Sequence, residues 1–152
     1  MRRGVRIMGL AMFGVVLLLG VVMAYVRLAP SDAARWDQLP DLYAWGQGGA
    51  FDSVVPMDGG ASLRLSLGKG QPPAVLARLD SVAMATPRTD RLAGTVAEGR
   101  ITWVTRSRLW GFPDYTTAEV RPDGVYIYAR QRFGSRDMGV NAARLEGWLA
   151  SL

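Results

Sequence analysis

The feature that most constrains this chain is an uncharged apolar segment near its N-terminus. Residues 7–26 contain no charged side chain. Twenty residues of α-helix span roughly 30 Å, which is the thickness of the hydrocarbon core of a bilayer. We therefore predict a transmembrane anchor in residues 1–27, followed by one folded domain, because a chain of 152 residues leaves room for little more.

The charges around this segment predict its orientation. Residues 1–27 hold four arginines and no acidic residue, whereas residues 28–152 hold fourteen basic and thirteen acidic residues. Three of the four arginines precede the apolar segment, so the positive-inside rule places the N-terminus in the cytoplasm and the domain in the periplasm of a bacterial inner membrane. Because the domain itself is nearly neutral, its charge gives no reason to expect a nucleic-acid partner.

A secretory signal peptide is the alternative interpretation of the same segment. Val22-Met23-Ala24 is similar to a small-residue cleavage site. The apolar run is nevertheless longer than the usual signal-peptide core of about 7–15 residues. Both interpretations export the domain, but only the first keeps it attached. The sequence has no cysteine, which excludes a lipoprotein site, a disulfide and a thiolate metal site.

The segment after the anchor, residues 28–60, shows no clear period and contains several Gly, Pro and Asp residues. We interpret it as a juxtamembrane linker. Its aromatic side chains are expected either at the lipid headgroups or packed on the domain. We favour the second place for Trp45 and Phe51, and assign the domain to residues 61–152.

Regular periods begin at residue 61. Leucines alternate with polar residues up to Leu67 and predict a half-buried strand. Pro72-Pro73 opens a helix with apolar residues at helical spacing, which Pro87 ends. Weaker patterns predict strands at 92–96 and 101–106.

The C-terminal third predicts a hairpin and a last helix. Strands at 116–121 and 125–132 are joined by Pro122-Asp123-Gly124, residue types that favour a tight turn. A helix is predicted over 141–151, with Asn141 as its cap. The order β-α-β-β-β-β-α indicates an α+β fold, with an antiparallel sheet of about five strands and helices packed on one face.

Residues 112–115 (Phe-Pro-Asp-Tyr) and residues 132–144 carry a family resemblance. They resemble two segments of the DUF1499 family of uncharacterised, membrane-anchored bacterial proteins, F-x-D-D and S-x-S-R-x-G-x-x-D-x-G-x-N-x-x-R. Six residues fall on the second pattern in register: Arg132, Gly134, Asp137, Gly139, Asn141 and Arg144. The chain departs from the patterns at Tyr115, Ala129 and Gln131, where an aspartate and two serines are common. The resemblance implies no established activity.

The charged residues around this pattern have two interpretations. In the first they join the last helix to the sheet, with Asp137 bound to free helix amides and Arg144 paired with Asp137 or Asp114. In the second, Arg130, Arg132 and Arg144 form a pocket for an anion or carboxylate at the helix N-terminus. The candidate ligand-binding residues are Asp114, Arg130, Arg132, Asp137, Asn141 and Arg144.

The composition narrows the possible chemistry. The chain has no histidine and a single lysine, Lys69. It therefore has no histidine base or ligand, and no phosphate-binding loop is recognisable. We assign no catalytic residue, metal or cofactor. Three hypotheses remain: a non-catalytic accessory module that binds an envelope partner, a binder of lipid or another apolar ligand in a cavity between sheet and helix, and a hydrolase that uses Asp114 and Asp137.

Overall fold

The structure is a computed structural model that describes residues 2–41 and 49–152. The elements in these ranges are α1 (Arg2–Leu28), α2 (Ala33–Trp36), β1 (Val54–Met57), β2 (Gly60–Ser66), α3 (Pro72–Ala85), β3 (Thr89–Thr95), β4 (Arg100–Arg106), β5 (Pro113–Arg121), β6 (Gly124–Gln131) and α4 (Val140–Ala150). A 3-10 turn, Leu67–Lys69, connects β2 to α3. The chain is thus an N-terminal apolar helix followed by an α+β domain, as the sequence predicts.

Helix α1 is a long apolar helix with little of its surface packed against the rest of the protein. Its segment Arg6–Leu28 is long and apolar enough to cross a membrane. The large apolar side chains from Ile7 to Val22 are exposed. A helix that is apolar on all sides needs an apolar environment around it. By length and composition, a membrane span and a signal sequence both meet this description.

The six strands form one antiparallel sheet in the order β1-β2-β6-β5-β4-β3. The sequence predicts about five strands. The additional one is β1, which lies in the segment expected to be a linker and contains Pro56, a residue that edge strands tolerate. Leu67 was expected in a strand but lies in the 3-10 turn and is exposed, because Gly68 and Gly70 end the strand pattern. Phe51 packs edge-on against Tyr126 with ring centroids 6.4 Å apart, whereas Trp45 lies outside the described residues.

Helices α3 and α4 cover one face of the sheet and enclose the core. Trp103 of β4 and Trp148 of α4 meet edge to face at its centre, with ring centroids 5.7 Å apart. Each indole N–H donates a hydrogen bond, from Trp103 to Asp80 over 2.9 Å and from Trp148 to Thr86 over 2.8 Å. These two rings occupy space between the sheet and the helices, which is where the hypothesis of a lipid or apolar ligand places a cavity.

The hairpin of β5 and β6 is confirmed, and Gly124 is fixed by packing. Arg121 pairs with Gly124, so Pro122-Asp123 alone makes the turn. A Cβ atom at Gly124 would lie 2.1 Å from the carbonyl oxygen of Leu65 in the neighbouring strand. Only glycine allows the two backbones to approach this closely.

Candidate functional site

A polar cluster joins β5 to the start of α4. Asp114 and Arg144 form an ion pair of 2.9 Å, and their side chains are only 14% and 10% exposed. Arg144 also donates a hydrogen bond of 2.6 Å to the Oδ1 atom of Asn141. Burial raises the pKa of Asp114 above its ordinary value, and this effect outweighs the lowering by Arg144. The ion pair is formed, but the desolvation penalty of the Asp114 carboxylate is larger than its attraction to Arg144.

Asp137 caps the same helix. Its two carboxylate oxygens accept hydrogen bonds from the backbone N–H groups of Gly139, at 3.0 Å, and Asn141, at 2.9 Å. Burial acts to raise the pKa of Asp137, but these amide bonds outweigh it and hold the pKa below its ordinary value. The prediction that Asn141 caps the helix is wrong: Gly139 is the N-cap residue, with φ 80°, and Asn141 is fully buried within α4.

Arg130 and Arg132 lie on the other face of the sheet. In β6, Ile127 and Ala129 point toward the helices and are buried. Side chains alternate along a strand, so Arg130 points away from them. The structure therefore brings Asp114, Asp137, Asn141 and Arg144 together, but it does not bring Arg130 and Arg132 to that cluster. Whether any of the six residues binds a ligand stays a prediction.

The second face of the sheet is crossed by residues 30–38, which we call the strap. The hydroxyl groups of Ser31 and Tyr115 are 2.8 Å apart. The Trp36 ring stacks on the Tyr115 ring, with centroids 4.0 Å apart. Farther along, Thr102 donates a hydrogen bond of 2.8 Å to the carboxylate of Asp37. The strap thus follows the sheet from β5 to β4.

Arg130 and Arg132 fasten the strap. Arg130 donates to the carbonyl oxygens of Trp36, at 2.6 Å, and Gln38, at 3.2 Å. Burial lowers the pKa of Arg130, opposed by the charge of Asp37 and by two tyrosines. Arg132 donates to the carbonyl oxygen of Pro30 over 2.8 Å. These contacts could not be predicted from the sequence, because every residue has a backbone carbonyl that can accept a hydrogen bond.

The C-terminal end of α1 contacts two loops of the domain, which we call the tip loops: residues 107–112, between β4 and β5, and residues 132–139, between β6 and α4. Arg27 donates a hydrogen bond of 2.9 Å to the carbonyl oxygen of Leu109. Tyr25 meets Phe133 edge-on, with ring centroids 6.4 Å apart. The C-terminal end of α1 therefore contacts the domain at the end of the sheet that carries the tip loops.

These features define a class of protein: an apolar N-terminal helix joined by an ordered strap to a six-stranded antiparallel sheet with two helices on one face. The family model described as "Protein of unknown function (DUF1499)" matches residues 58–152, more than half of the chain, and the chain belongs to this family. The strap lies before the matched region. No curated protein and no solved structure matches the chain.

Proposed function

We propose that this chain is a single-pass protein of the bacterial inner membrane, with its N-terminus in the cytoplasm, and that its periplasmic domain is a non-catalytic accessory module that binds an envelope partner. The observation that carries the proposal is the strap. Helix α1 ends at Leu28, and the domain already holds the chain at Pro30 and Ser31. Such a short connection gives the domain one orientation relative to its anchor.

A fixed orientation suits a binding module. A domain on a flexible tether samples many orientations and loses orientational entropy when it binds a partner. A domain that is already oriented by folding loses less entropy on binding. Val26 and Ala29 are buried against the domain, which extends the ordered region back into α1. The same surface of the domain would then always face its neighbours in the membrane.

The contacts of the two candidate acids also favour binding over hydrolysis. Asp114 is paired with Arg144, and both oxygens of Asp137 accept from the amides of α4. Each carboxylate thus has a structural partner. For a lipid ligand, the space between sheet and helices is occupied by Trp103 and Trp148. One groove, of about 370 Å³, lies on the strap face beside Leu39 and Pro40, and a more open one, of about 500 Å³, lies along α3 and α4 at the surface.

Cysteine labelling tests the anchor and its orientation. The chain has no native cysteine, so Gly4→Cys and Ala97→Cys each introduce a single thiol. In spheroplasts, a membrane-impermeant maleimide should label the exposed position 97 at once and position 4 only after lysis. Labelling of position 4 without lysis would contradict the orientation. A soluble mature protein that begins at Tyr25 would show that the segment is a cleaved signal.

Photocrosslinking in cells tests the partner. A photoreactive residue is placed at three exposed positions on different sides of the domain: Asp90, Ala97 and Ala143. The anchored chain should give a discrete adduct with an envelope protein from at least one position. The matched control is the same domain exported with a cleavable signal, which should give much less of that adduct. Absence of a discrete adduct from all three positions of the anchored chain would refute the partner.

A further inference from the structure

The tip loops lie at the level where α1 leaves the apolar region. The helix segment that is apolar enough for a span ends at Leu28, and its contacts with the tip loops come from Tyr25 and Arg27 in its last turn. An α-helix rises about 1.5 Å per residue, so these contacts lie within about 5 Å of the end of the span. In a membrane, the tip loops would therefore lie at the headgroup layer.

The tip loops expose apolar side chains that the domain does not cover. Leu109 is 68% exposed and Met138 is 96% exposed. Met138 also has φ 54°, a left-handed conformation that non-glycine residues rarely adopt. The tip loops also carry three aromatic rings, in which the ring centroid of Phe112 is 6.4 Å from that of Trp110 and 6.0 Å from that of Phe133. Apolar tips beside aromatic rings are typical of segments that enter a membrane interface.

The charges on the same surface are positive. Arg27, Arg108 and Arg136 are exposed there. Asp137 is the only acidic residue of the two tip loops, and its carboxylate is held by the amides of α4. Arginines near a bilayer surface are attracted to anionic phosphates. The positive charges and the exposed apolar side chains of the tip loops thus both favour contact with an anionic bilayer surface.

We propose that the tip loops dock on the surface of the anionic phospholipid bilayer that holds α1, with Leu109 and Met138 inserted among the headgroups and Arg108 and Arg136 on lipid phosphates. The inference rests on the proposed membrane anchor and specifies what the domain touches beside it. The domain then has a second attachment to the membrane, independent of the span.

The test uses the full chain in lipid nanodiscs that contain phosphatidylglycerol. Single-cysteine variants carry an environment-sensitive fluorophore at three positions: Met138→Cys at a tip loop, Ala97→Cys at the opposite end of the sheet, and Leu17→Cys within α1. Quenching by lipids with a nitroxide in the headgroup region or in the acyl chain reports the depth of each probe. The charge variant is R108E/R136E, measured with the probe at position 138.

The inference predicts a blue-shifted probe at position 138, quenched most by the headgroup nitroxide, and a probe at position 97 that behaves as in water. R108E/R136E should lose most of the quenching at position 138. A probe at 138 that matches the one at 97, while the probe at 17 is quenched from the acyl region, overturns the inference and leaves the anchor intact. A probe at 17 that is not quenched overturns the anchor and the inference with it. Equal signals at 138 in discs of phosphatidylcholine alone overturn the assignment to anionic headgroups.

Discussion

Removal of the Arg130 side chain should release the strap from the sheet while the sheet stays folded. Arg130 donates to two strap carbonyls and lies over the rings of Trp36 and Tyr128, 5.3 Å from each centroid. Its remaining contact is a hydrogen bond of 3.4 Å to Thr117. Arg130→Ala therefore removes contacts to the strap but no side chain from the core between sheet and helices.

The size of the effect follows from these contacts. A hydrogen bond from a charged donor contributes about 1.5–3 kcal/mol. Two such bonds, with about 0.5–1 kcal/mol from the guanidinium over aromatic rings, are opposed by about 2 kcal/mol of side-chain entropy. We expect the free energy of strap opening to fall by about 3 kcal/mol, which corresponds to roughly a hundredfold in the opening equilibrium.

Hydrogen exchange of the strap amides measures this change. The amides of Trp36 and Asp37 bond to Asp32 and Ala33 within the strap, and both should exchange up to about a hundredfold faster in Arg130→Ala. The control is Arg91→Ala, which removes an arginine that pairs with Asp80 away from the strap. Unchanged exchange at both amides in Arg130→Ala, or an equal increase in the control, would refute the reasoning.

Three further predictions concern stability, measured by denaturant unfolding of the full chain in detergent. Arg144→Ala leaves the Asp114 carboxylate buried without its cation and should cost about 3–5 kcal/mol near neutral pH. Because burial raises the folded-state pKa of Asp114 above 3.8, the cost should shrink as the pH falls from neutral through this raised value, and a cost that stays constant down to pH 3.8 would contradict this. Asp137→Ala should lower the free energy of unfolding by about 1 kcal/mol at neutral pH, since it removes the carboxylate that accepts from the first amides of α4. Because the folded-state pKa of Asp137 is lowered, this difference should disappear only as the pH falls through that lowered value. Gly124→Ala should destabilise the domain by about 1–3 kcal/mol, because the new Cβ would lie 2.1 Å from a backbone oxygen of β2. Gly147→Ala should instead stabilise α4 by about 1 kcal/mol, since no atom lies within 4 Å of its new Cβ. Changes of the same sign in the two variants would contradict the packing argument.

The elements that were predicted correctly are those whose residues carry their own period. The alternation in β2, the Pro-initiated helix α3 and the turn between β5 and β6 depend on neighbouring residues. Strand β1 has only four residues, one of them proline, which is too short for a period to be visible. Its place in the sheet comes from pairing with β2, and pairing is a tertiary property.

The candidate site was predicted in part for a similar reason. The binding of helix amides by Asp137 follows from its place just before α4. The sequence left the partner of Arg144 open between Asp137 and Asp114, and the structure pairs it with Asp114 on β5. The joint pocket of three arginines does not form, and the sequence contained the reason: Arg130 alternates with the buried Ala129, so it belongs to the opposite face. That the strap covers this face could not be predicted, because residues 30–38 have no hydrophobic period.

The strap also sets an order of events during synthesis. Its contacts with the sheet join residues that are 63 to 102 positions apart in the chain. The strap is synthesised first, and its partners in β4 to β6 follow after about 3–20 s at a synthesis rate of roughly 5–20 residues per second. During that interval the strap has no sheet to bind, and its Ser, Asp, Arg and Gln side chains keep it solvated. The last strands to be made therefore complete the attachment of the domain to α1, so a chain truncated before β6 would keep α1 but lack the arginines that hold the strap on the sheet.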